Sequence, residues 1–335
     1  MSKSSFQDST SRRQQLSVWE LPKLLRSVHQ HRKSKPKKCR ERPHFRAILA
    51  FVHRNRFAVA SQIQRRFSKF LKSDRTARRH LAEMESLGYV SVVDANNTSP
   101  LWPKVYFVTG RGVARLRKAL HDQGQEWSEA THDRRRSDCY SAQHVLHELF
   151  ISEFLLQTWE SAEASDDLEI LTIQRRSLAK HDAFKVIVAG RRTRLQPDGM
   201  FLYRQQGRGM MACFVEIDLD TMSPRQIAAK FRRYQGWVES SAGSKYLKSL
   251  YERHGASNPT AVFRILMIIG SKDQKAENRR LARIVKLASE FPALIRHRLW
   301  FTTVSQCWNN SASNDAMAES NWLRLNNASL FCQSR

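Results

Sequence analysis

The sequence is poor in cysteine and lacks the residue spacing that metal or disulfide chemistry requires. Its five cysteines are scattered over 335 residues without a CxxC pair, which argues against a zinc ribbon or a disulfide framework. The patterns HExxH, GxSxG and GxxxxGK followed by Ser or Thr are also absent, so zinc-dependent proteolysis, α/β-hydrolase chemistry and ATP hydrolysis have no support. We expect five free thiols.

Long apolar runs are missing as well. The two longest lie around Val262 to Gly270 and Phe45 to Val52, and they are interrupted by Arg264 and Arg46. Both fall well short of the roughly 20 apolar residues that a membrane helix needs. The first residues contain no apolar segment of the kind that directs secretion. We therefore expect a cytoplasmic protein with no membrane partner.

Acidic residues are scarce, because 31 Asp and Glu face 57 Lys and Arg and leave a formal net charge of +26. Such an excess indicates a polyanionic partner, and nucleic acid is favoured over an anionic membrane surface. Residues 1–136 hold 30 Lys and Arg against 11 acids, a net +19, and the remainder holds 27 against 20, a net +7. The polyanion contact is therefore expected mostly in the first half of the chain.

The length suits two domains of about 100 to 200 residues each. Hydrophobic residues make up 41% of the chain, which is enough to form real cores. The charge-dense segment 29–42 lacks apolar periodicity, so it is either an arm that tracks phosphates or a passive, solvated tail. We divide the chain into a basic flexible arm at 1–42, a first domain at 43–121, a linker at 122–140, a second domain at 141–308 and a polar tail at 309–335.

Three helices and two strands are predicted in the first domain. Apolar residues from Phe45 to Val52 follow helical spacing, and Ala58 to Phe67 is a second amphipathic segment. Ser73 is expected to cap a third helix, and Gly88 to end it. The inward stripe of this helix consists of Ala77, Leu81, Met84 and Leu87. Two β-prone runs follow, Tyr89 to Val93 and Val105 to Thr109, joined by a loop from Asp94 to Pro103.

The stretch RTARRHLAEMESLGYVSVV, followed by KVYFVTGRGVARL, resembles a bacterial winged helix-turn-helix domain over residues 43–121. The resemblance implies binding to double-stranded DNA, with the third helix in the major groove and the wing on the backbone. Arginine on such a helix can read guanine through two hydrogen bonds. The DNA-binding residues it implies are Arg75, Thr76, Arg78, Arg79 and Lys104. The alternative is an ordinary solvated helix face and a wing that contacts protein.

The second domain is predicted to be α/β. A long helix is expected from Ser141 to about Ser161. Five β-prone runs follow, at Leu168 to Gln174, Met200 to Tyr203, Ala212 to Leu219, Phe263 to Ile269 and Trp300 to Val304. Helices are expected near Pro224 to Glu239 and Ala276 to Glu290, which gives the order αβββαβαβ. The fold class is therefore α/β multidomain, with a first domain of three helices and a wing.

Three acidic residues lie on or next to the predicted strands of this domain, where they could form a site. Asp198 leads into one strand, while Glu216 and Asp218 lie on the next as an i, i+2 pair that shares one face. Lys230 and Tyr234 are one turn apart on the following helix, so the five side chains can converge at one sheet end. The alternative is structural, since carboxylates commonly cap turns or pair with arginines.

The αβββαβ order and the two acids resemble the restriction-endonuclease-like PD-(D/E)XK nuclease superfamily. The resemblance implies that Asp198 and Glu216 bind Mg²⁺, with a lysine two residues after the second acid helping to activate water. Asp218 stands at that position instead. Either Lys230 supplies the ammonium from the next helix, with Asp218 and Tyr234 assisting, or catalysis is weakened or lost.

A closer resemblance is to the replication-relaxation family of plasmid and mobile-element proteins, in which a winged helix precedes a domain with a helix histidine, a PD, an ExD and a KxxxY. The matching residues here, in that order, are His144, Pro197, Asp198, Glu216, Asp218, Lys230 and Tyr234. The resemblance covers residues 43–305. It implies a role in plasmid replication or mobilisation, with a replication, mobilisation or transposition protein as partner.

Three hypotheses follow. The first is a DNA-binding protein of a mobile element with a nuclease-like second domain. The second is an active Mg²⁺-dependent endonuclease or nickase that uses Asp198, Glu216, Asp218 and Lys230. The third is a binding module whose inert nuclease fold docks a partner protein. Because the displaced lysine is compatible with all three, the sequence leaves them open.

Overall fold

A computed structural model describes residues 41–93, 103–122, 142–175, 182–256, 262–309 and 323–324. It confirms a mixed α/β protein, with a three-stranded and a six-stranded sheet among the described residues. We call residues 41–122 the N-terminal unit and residues 142–324 the C-terminal unit. The predicted basic arm, wing loop, linker and polar tail lie wholly or mostly outside the described residues.

The N-terminal unit follows the order helix, strand, helix, helix, strand, strand, helix. Its elements are α1 (Phe45–Asn55), β1 (Ala58–Val59), α2 (Ala60–Arg66), α3 (Asp74–Ser86), β2 (Val90–Val93), β3 (Val105–Val108) and α4 (Gly110–His121). The sequence prediction of one helix from Ala58 to Phe67 was wrong at its start. Ala58 and Val59 are extended because they pair with Tyr106 and Val105 of β3.

Local sequence accounts for α3. The Ser73 side chain accepts a hydrogen bond from the Thr76 amide at 3.2 Å, which confirms the predicted cap. Ala77, Leu81 and Met84 are fully buried, because positions three and four apart lie on the same face of a helix. Gly88 follows with φ of +72°, a left-handed conformation that glycine adopts without strain.

The strands of this unit form an antiparallel sheet in the order β1-β3-β2. Val90 pairs with Val108 and Val93 with Val105, so β2 and β3 are the two arms of one ribbon. The Thr109 side chain then caps α4 by accepting from the Gly112 amide at 3.1 Å.

The C-terminal unit begins with one long helix and continues as a mixed sheet. Its elements are α5 (Ala142–Glu163), β4 (Leu168–Arg175), β5 (Lys185–Val188), β6 (Arg191–Arg194), β7 (Gly199–Gln205), β8 (Gly209–Asp218), α6 (Pro224–Glu239), α7 (Ser241–Arg253), β9 (Phe263–Ile269), α8 (Gln274–Ser289), α9 (Ala293–Arg296), β10 (Leu299–Thr303), α10 (Val304–Asn309) and β11 (Leu323–Arg324). The predicted order αβββαβαβ is present, but the β5–β6 hairpin, α7 and the short helix α9 interrupt it.

The large sheet has the strand order β11-β10-β9-β8-β7-β4. Strands β8, β9 and β10 run parallel to one another, whereas the pairs β4–β7, β7–β8 and β10–β11 are antiparallel. Gly207 lies in the turn between β7 and β8 and Gly209 begins β8, and both have a positive φ that glycine adopts without strain. The hairpin of β5 and β6 is a separate two-stranded sheet.

Each face of the large sheet is covered by its own helices. Alternate residues of β8 point to opposite faces, so Phe214 packs against α6 while Val215 packs against α5. Helices α6, α7 and α8 lie over one face, and α5 and α10 over the other. No helix in the described part of the chain combines the length and apolar character needed to cross a membrane.

The N-terminal unit packs against α5. Arg65 of α2 forms ion pairs with Glu153, at 2.5 Å, and with Glu160. Val145 of α5 is buried in one apolar cluster with Phe57 and Val105. The N-terminal unit therefore lies on the α5 side of the large sheet.

A buried arginine also links the two units. Arg175 of β4, only 4% exposed, donates to Glu148 of α5 at 2.8 Å and to the carbonyl of Asn55 of α1 at 2.9 Å. Because both charges are buried and opposed, this pair ties α1, α5 and the edge strand β4 to one another.

Candidate functional site

The outer face of α3 is cationic. Arg75, Arg78 and Arg79 are all exposed. The sequence predicts this, because the apolar residues that begin with Ala77 form the buried face on the opposite side of the helix. Arg78 forms an ion pair with Asp74 one turn before it, whereas Arg75 and Arg79 form none with the described residues. Thr76 is partly exposed in the first turn, beside the cap. A short helix therefore presents three guanidinium groups to solvent.

Lys104 lies at the C-terminal end of the predicted wing, and it is the predicted DNA-binding residue of the wing that the structure describes. It is exposed and directly precedes β3, the central strand of the small sheet. The rest of the wing loop, residues 94–102, lies outside the described residues. The roles predicted for Lys104 and for the α3 side chains in DNA contact stay predictions.

In the C-terminal unit, four of the five predicted site residues converge into one cluster. Asp198 precedes β7, Glu216 lies near the end of β8, and Lys230 and Tyr234 are one turn apart on α6. Strand β8 pairs with β7, so Glu216 and Asp198 reach the same region of the sheet. We call Asp198, Glu216, Lys230 and Tyr234, together with His147 of α5, the charge cluster.

Glu216 lies at the centre of the charge cluster and is completely buried. Its Oε2 contacts the Lys230 ammonium, and its Oε1 accepts a hydrogen bond from the Tyr234 hydroxyl at 2.7 Å. Both carboxylate oxygens are therefore bound. Tyr234 is also fully buried, so its hydroxyl holds Glu216 and does not face solvent as a nucleophile would.

Asp198 connects the charge cluster to α5. Its Oδ2 accepts from the Ile217 amide at 2.8 Å and lies 4.0 Å from the Lys230 ammonium. The Nε2 of His147 lies 3.4 Å from the same oxygen and donates to the Ile217 carbonyl at 2.9 Å. Lys230 and His147 thus offset the negative charges of the Asp198 and Glu216 carboxylates.

The pKa values of these groups follow from burial and neighbouring charge. Burial opposes the charged form of Asp198, but Lys230 and His147 outweigh it and hold its pKa well below the usual range. For Lys230, Asp198 and Glu216 outweigh burial and raise the pKa. Burial raises the pKa of Glu216 to about 7, against the opposing effect of Lys230. Burial lowers the pKa of His147, but Asp198 outweighs it and raises the value.

Asp218, the fifth predicted residue, takes part in different contacts. Its Oδ2 accepts from Arg280 of α8 at 2.6 Å, and its Oδ1 accepts from the Thr221 and Met222 amides at 3.2 and 3.3 Å. Arg280 also pairs with Asp220. Asp218 therefore fixes the turn after β8 and is not brought to the charge cluster.

The sequence motifs do not assign two residues of this region, His147 and Arg280, to the site. The helix histidine that reaches Asp198 is His147, whereas His144 contacts Arg56 at 2.9 Å and lies near Glu148. The spacing of three residues between the two histidines leaves both on one helix face, so only tertiary packing separates them. Arg280 gave no motif signal, because it comes 62 residues after its partner Asp218.

The charge cluster does not fit Mg²⁺ while Lys230 remains in place. Magnesium needs carboxylate oxygens that are open to the ion and its waters. Both oxygens of Glu216 are already bound, and the Lys230 ammonium lies between Glu216 and Asp198. Among the described residues, no group of three or more His, Cys, Asp and Glu side chains is arranged to hold a metal ion. Mg²⁺ binding stays a prediction.

Comparison with known proteins identifies one family. The replication-relaxation family model matches residues 49–248, which include α3, β8 and α6. No curated protein and no solved structure matches the chain. The match spans more than half of the chain and contains the PD, ExD and KxxxY residues described above. The chain therefore belongs to the replication-relaxation family.

Proposed function

We propose that this chain is a double-stranded-DNA-binding protein of a plasmid or other mobile element, acting in replication or mobilisation. In this proposal the N-terminal unit is a winged helix, α3 enters the major groove, and the β2–β3 ribbon contacts the backbone. Membership of the replication-relaxation family supports the biological role. The exposed arginines of α3 are the observation that carries the DNA-binding part.

The order of elements supports the winged helix. Helix, strand, helix, helix, strand, strand is the order that such domains use, and β1 pairs with β3 to close the small sheet. Helix α3 is the third helix of this order, which is the one that enters the groove in helix-turn-helix proteins. Ser73 caps the start of α3, and Arg75 is exposed in this first turn, the part of such a helix where base contacts are usually made.

Charge supports duplex DNA as the ligand. Arg75 and Arg79 are exposed with no acidic partner among the described residues, so neither side chain has to break an ion pair before it binds DNA. Arginine binds phosphate as well as the O6 and N7 atoms of guanine. The chain as a whole carries a formal charge of +26, which favours association with a polyanion.

For the C-terminal unit we propose a PD-(D/E)XK-like fold whose charge cluster is structural. The αβββαβ order and the convergence of Asp198, Glu216 and Lys230 support the likeness. The bound oxygens of Glu216 favour an inert core over a cutting centre. In this proposal the unit presents its surface to DNA or to a replication, mobilisation or transposition protein.

A selection from random duplexes tests the proposed function. The full-length protein is used to enrich a pool of duplexes, and the affinity for the selected duplex is compared with that for a scrambled one. We expect single Arg75→Ala and Arg79→Ala variants to relax the preference at one or two base pairs each, at a cost of about 1–3 kcal/mol per base that is no longer read. Lys245→Ala, at an exposed site on α7, is the control and should leave the preference unchanged. Unaltered preference in both arginine variants overturns the role of α3.

A Mg²⁺-dependent nickase is the second candidate, because Asp198, Glu216 and Lys230 do meet. It is tested by incubating the protein with supercoiled plasmid and Mg²⁺ or Mn²⁺, beside Asp198→Ala and Glu216→Ala variants. Nicking by the wild type that both variants lose would establish this candidate. No nicking beside intact DNA binding would support the inert fold.

A further inference from the structure

Helix α8 carries a second cationic surface, separate from α3. Its outward residues include four cations at helical spacing, Lys275, Arg279, Arg283 and Lys286, and all four are exposed. At 1.5 Å per residue this row is about 16 Å long. The helix holds one acid, Glu277, which is buried. We call the four side chains the α8 row.

None of the four side chains of the α8 row forms an ion pair with the described residues, and the two exposed acids nearest along the chain, Asp273 and Glu290, lie at the ends of the helix. Within the described part of the chain, the ion pairs of α8 are made by Arg280, which points toward Asp218 and Asp220. The α8 row therefore differs from the salt-bridged surface of an ordinary solvated helix, where opposite charges alternate. Four cations that form no ion pair and lie on one helix face repel one another, and a bound polyanion removes that repulsion.

The opposite face of α8 identifies the kind of polyanion. Leu281, Ile284 and Ala288 are buried in the main core of the C-terminal unit. A basic helix that binds a membrane inserts its apolar face into the lipid, and that face is not free here. A row of exposed cations on a firmly packed helix instead suits a line of phosphates, such as the backbone of duplex DNA.

Neighbouring elements extend the cationic surface. Helix α6 packs beside α8, and its Arg225 and Arg232 are exposed. The β5–β6 hairpin packs against α6 in turn and exposes Arg191 and Arg192 at the start of β6. Because these elements cover one face of the large sheet, the excess of positive charge is spread over that face and not confined to α8.

This face lies opposite the N-terminal unit. Helices α6 and α8 pack on one side of the large sheet, while the N-terminal unit packs against α5 on the other. One straight duplex held by α3 is therefore separated from the α8 row by the thickness of a sheet and its helices. The α8 row also lies outside the family-matched residues 49–248.

We propose that the α8 row binds the phosphate backbone of a second duplex segment, so that one chain bridges two DNA segments. The proposed binding of the second segment rests on the α8 row and the neighbouring cations, and it does not require the proposed role of α3. The bridging rests in addition on the proposed function of α3. Contacts to phosphate carry no sequence information, so the second segment is bound without sequence preference.

A two-duplex capture assay tests this proposal. A biotinylated duplex that carries the selected site is fixed to beads, and capture of a fluorescent duplex of unrelated sequence is measured with the full-length protein. We expect Arg279→Glu/Arg283→Glu to reduce capture of the second duplex at least tenfold while leaving binding to the first within twofold. The salt dependence of capture should also weaken, by a slope of about 0.9 for each phosphate that the variant no longer neutralises.

A matched reversal on α7, Lys245→Glu/Lys248→Glu, is the control, because it changes the same number of exposed charges on the same face of the sheet. Capture that survives in the control and fails in the α8 variant supports the proposal. Equal capture by wild type and α8 variant, or an equal loss in both variants, overturns it. Light scattering establishes that the variants share the wild-type mass.

The assay separates this proposal from that for α3. In an Arg75→Glu/Arg79→Glu variant, loss of the preference for the selected duplex over an unrelated one, with retention of non-selective, α8-dependent binding, supports both proposals. If the preference for the selected duplex survives in that variant, the role of α3 fails, and the proposal for the α8 row is then tested by capture of the unrelated duplex alone.

Discussion

The imidazole of His147 lies 3.4 Å from the carboxylate of Asp198, and its Nε2 donates a hydrogen bond to the backbone carbonyl of Ile217. The amide of the same residue, Ile217, donates to Asp198. These contacts fix α5, on one face of the large sheet, to β8 and to the carboxylate of Asp198. His147 links α5, which carries the N-terminal unit, to the centre of the C-terminal unit.

Replacing His147 should destabilise the protein in a pH-dependent way. The raised pKa of His147 means that folding favours its protonated form. This contribution is fully present below the unfolded value of about 6.5 and is lost as the pH rises through the higher folded value. We expect His147→Gln to lower the free energy of unfolding by about 1–3 kcal/mol at pH 6, and by clearly less at pH 9.

Thermal unfolding of His147→Gln and wild type between pH 5.5 and 9 measures this difference. His297→Gln, at an exposed site after α9, is the control. A gap between His147→Gln and wild type that stays constant over the range, or widens with pH, would contradict the account of the pair with Asp198.

Removing the Lys230 ammonium should be costly. Lys230→Met leaves Glu216 fully buried without its cation, and breaking a buried ion pair at one partner costs about 3–5 kcal/mol. Adding Glu216→Gln removes the unpaired charge, so the double variant should recover at least half of the loss. Urea unfolding of the two variants checks this. A single variant as stable as wild type would show that Glu216 is not held ionised by Lys230.

Two glycines of α4 offer a matched pair of substitutions. A Cβ at Gly112 would lie 2.1 Å from the Tyr89 carbonyl oxygen, which is backbone and cannot move aside cheaply. A Cβ at Gly110 meets nothing within 4 Å. We expect Gly112→Ala to cost about 3 kcal/mol or more through overpacking and Gly110→Ala to be neutral or slightly stabilising. Similar unfolding midpoints for both variants would refute the close packing of α4 on the small sheet.

The contact between α2 and α5 should behave as one coupled group. Arg65 binds both Glu153 and Glu160, and the three side chains are mostly buried. We expect a double-mutant cycle of Arg65→Ala and Glu160→Ala to give a coupling energy of about 1–2 kcal/mol in the free energy of unfolding. An additive cycle would mean that the two units are not held together by this ion pair.

Elements whose signals are local could be predicted from the sequence. The signals for α3 all lie within one stretch of chain: Ser73 caps the helix, Ala77 begins its buried face and Gly88 follows it. The structure has the helix at the position that these signals predict. The helix from Pro224 to Glu239 was likewise predicted with correct ends, because Ser223 and Pro224 mark its start.

Features that depend on distant partners could not be predicted. Strand β1 is two residues long and exists through pairing with β3, more than 40 residues later. Asp218 shares a strand face with Glu216, yet Arg280 draws it into a separate set of contacts. The choice between His144 and His147 depends on how α5 is rotated on the sheet, which no local pattern encodes.

The most direct test of the central claim is the affinity of the full-length protein for a 30-base-pair duplex at low ionic strength, measured by fluorescence anisotropy. The account predicts tight, salt-sensitive binding that Arg75→Glu/Arg79→Glu weakens at least tenfold for the selected sequence, whereas Lys245→Glu/Lys248→Glu does not. Failure of the wild type to bind duplex DNA, or unchanged affinity for the selected sequence after reversal of the α3 charges, would contradict it.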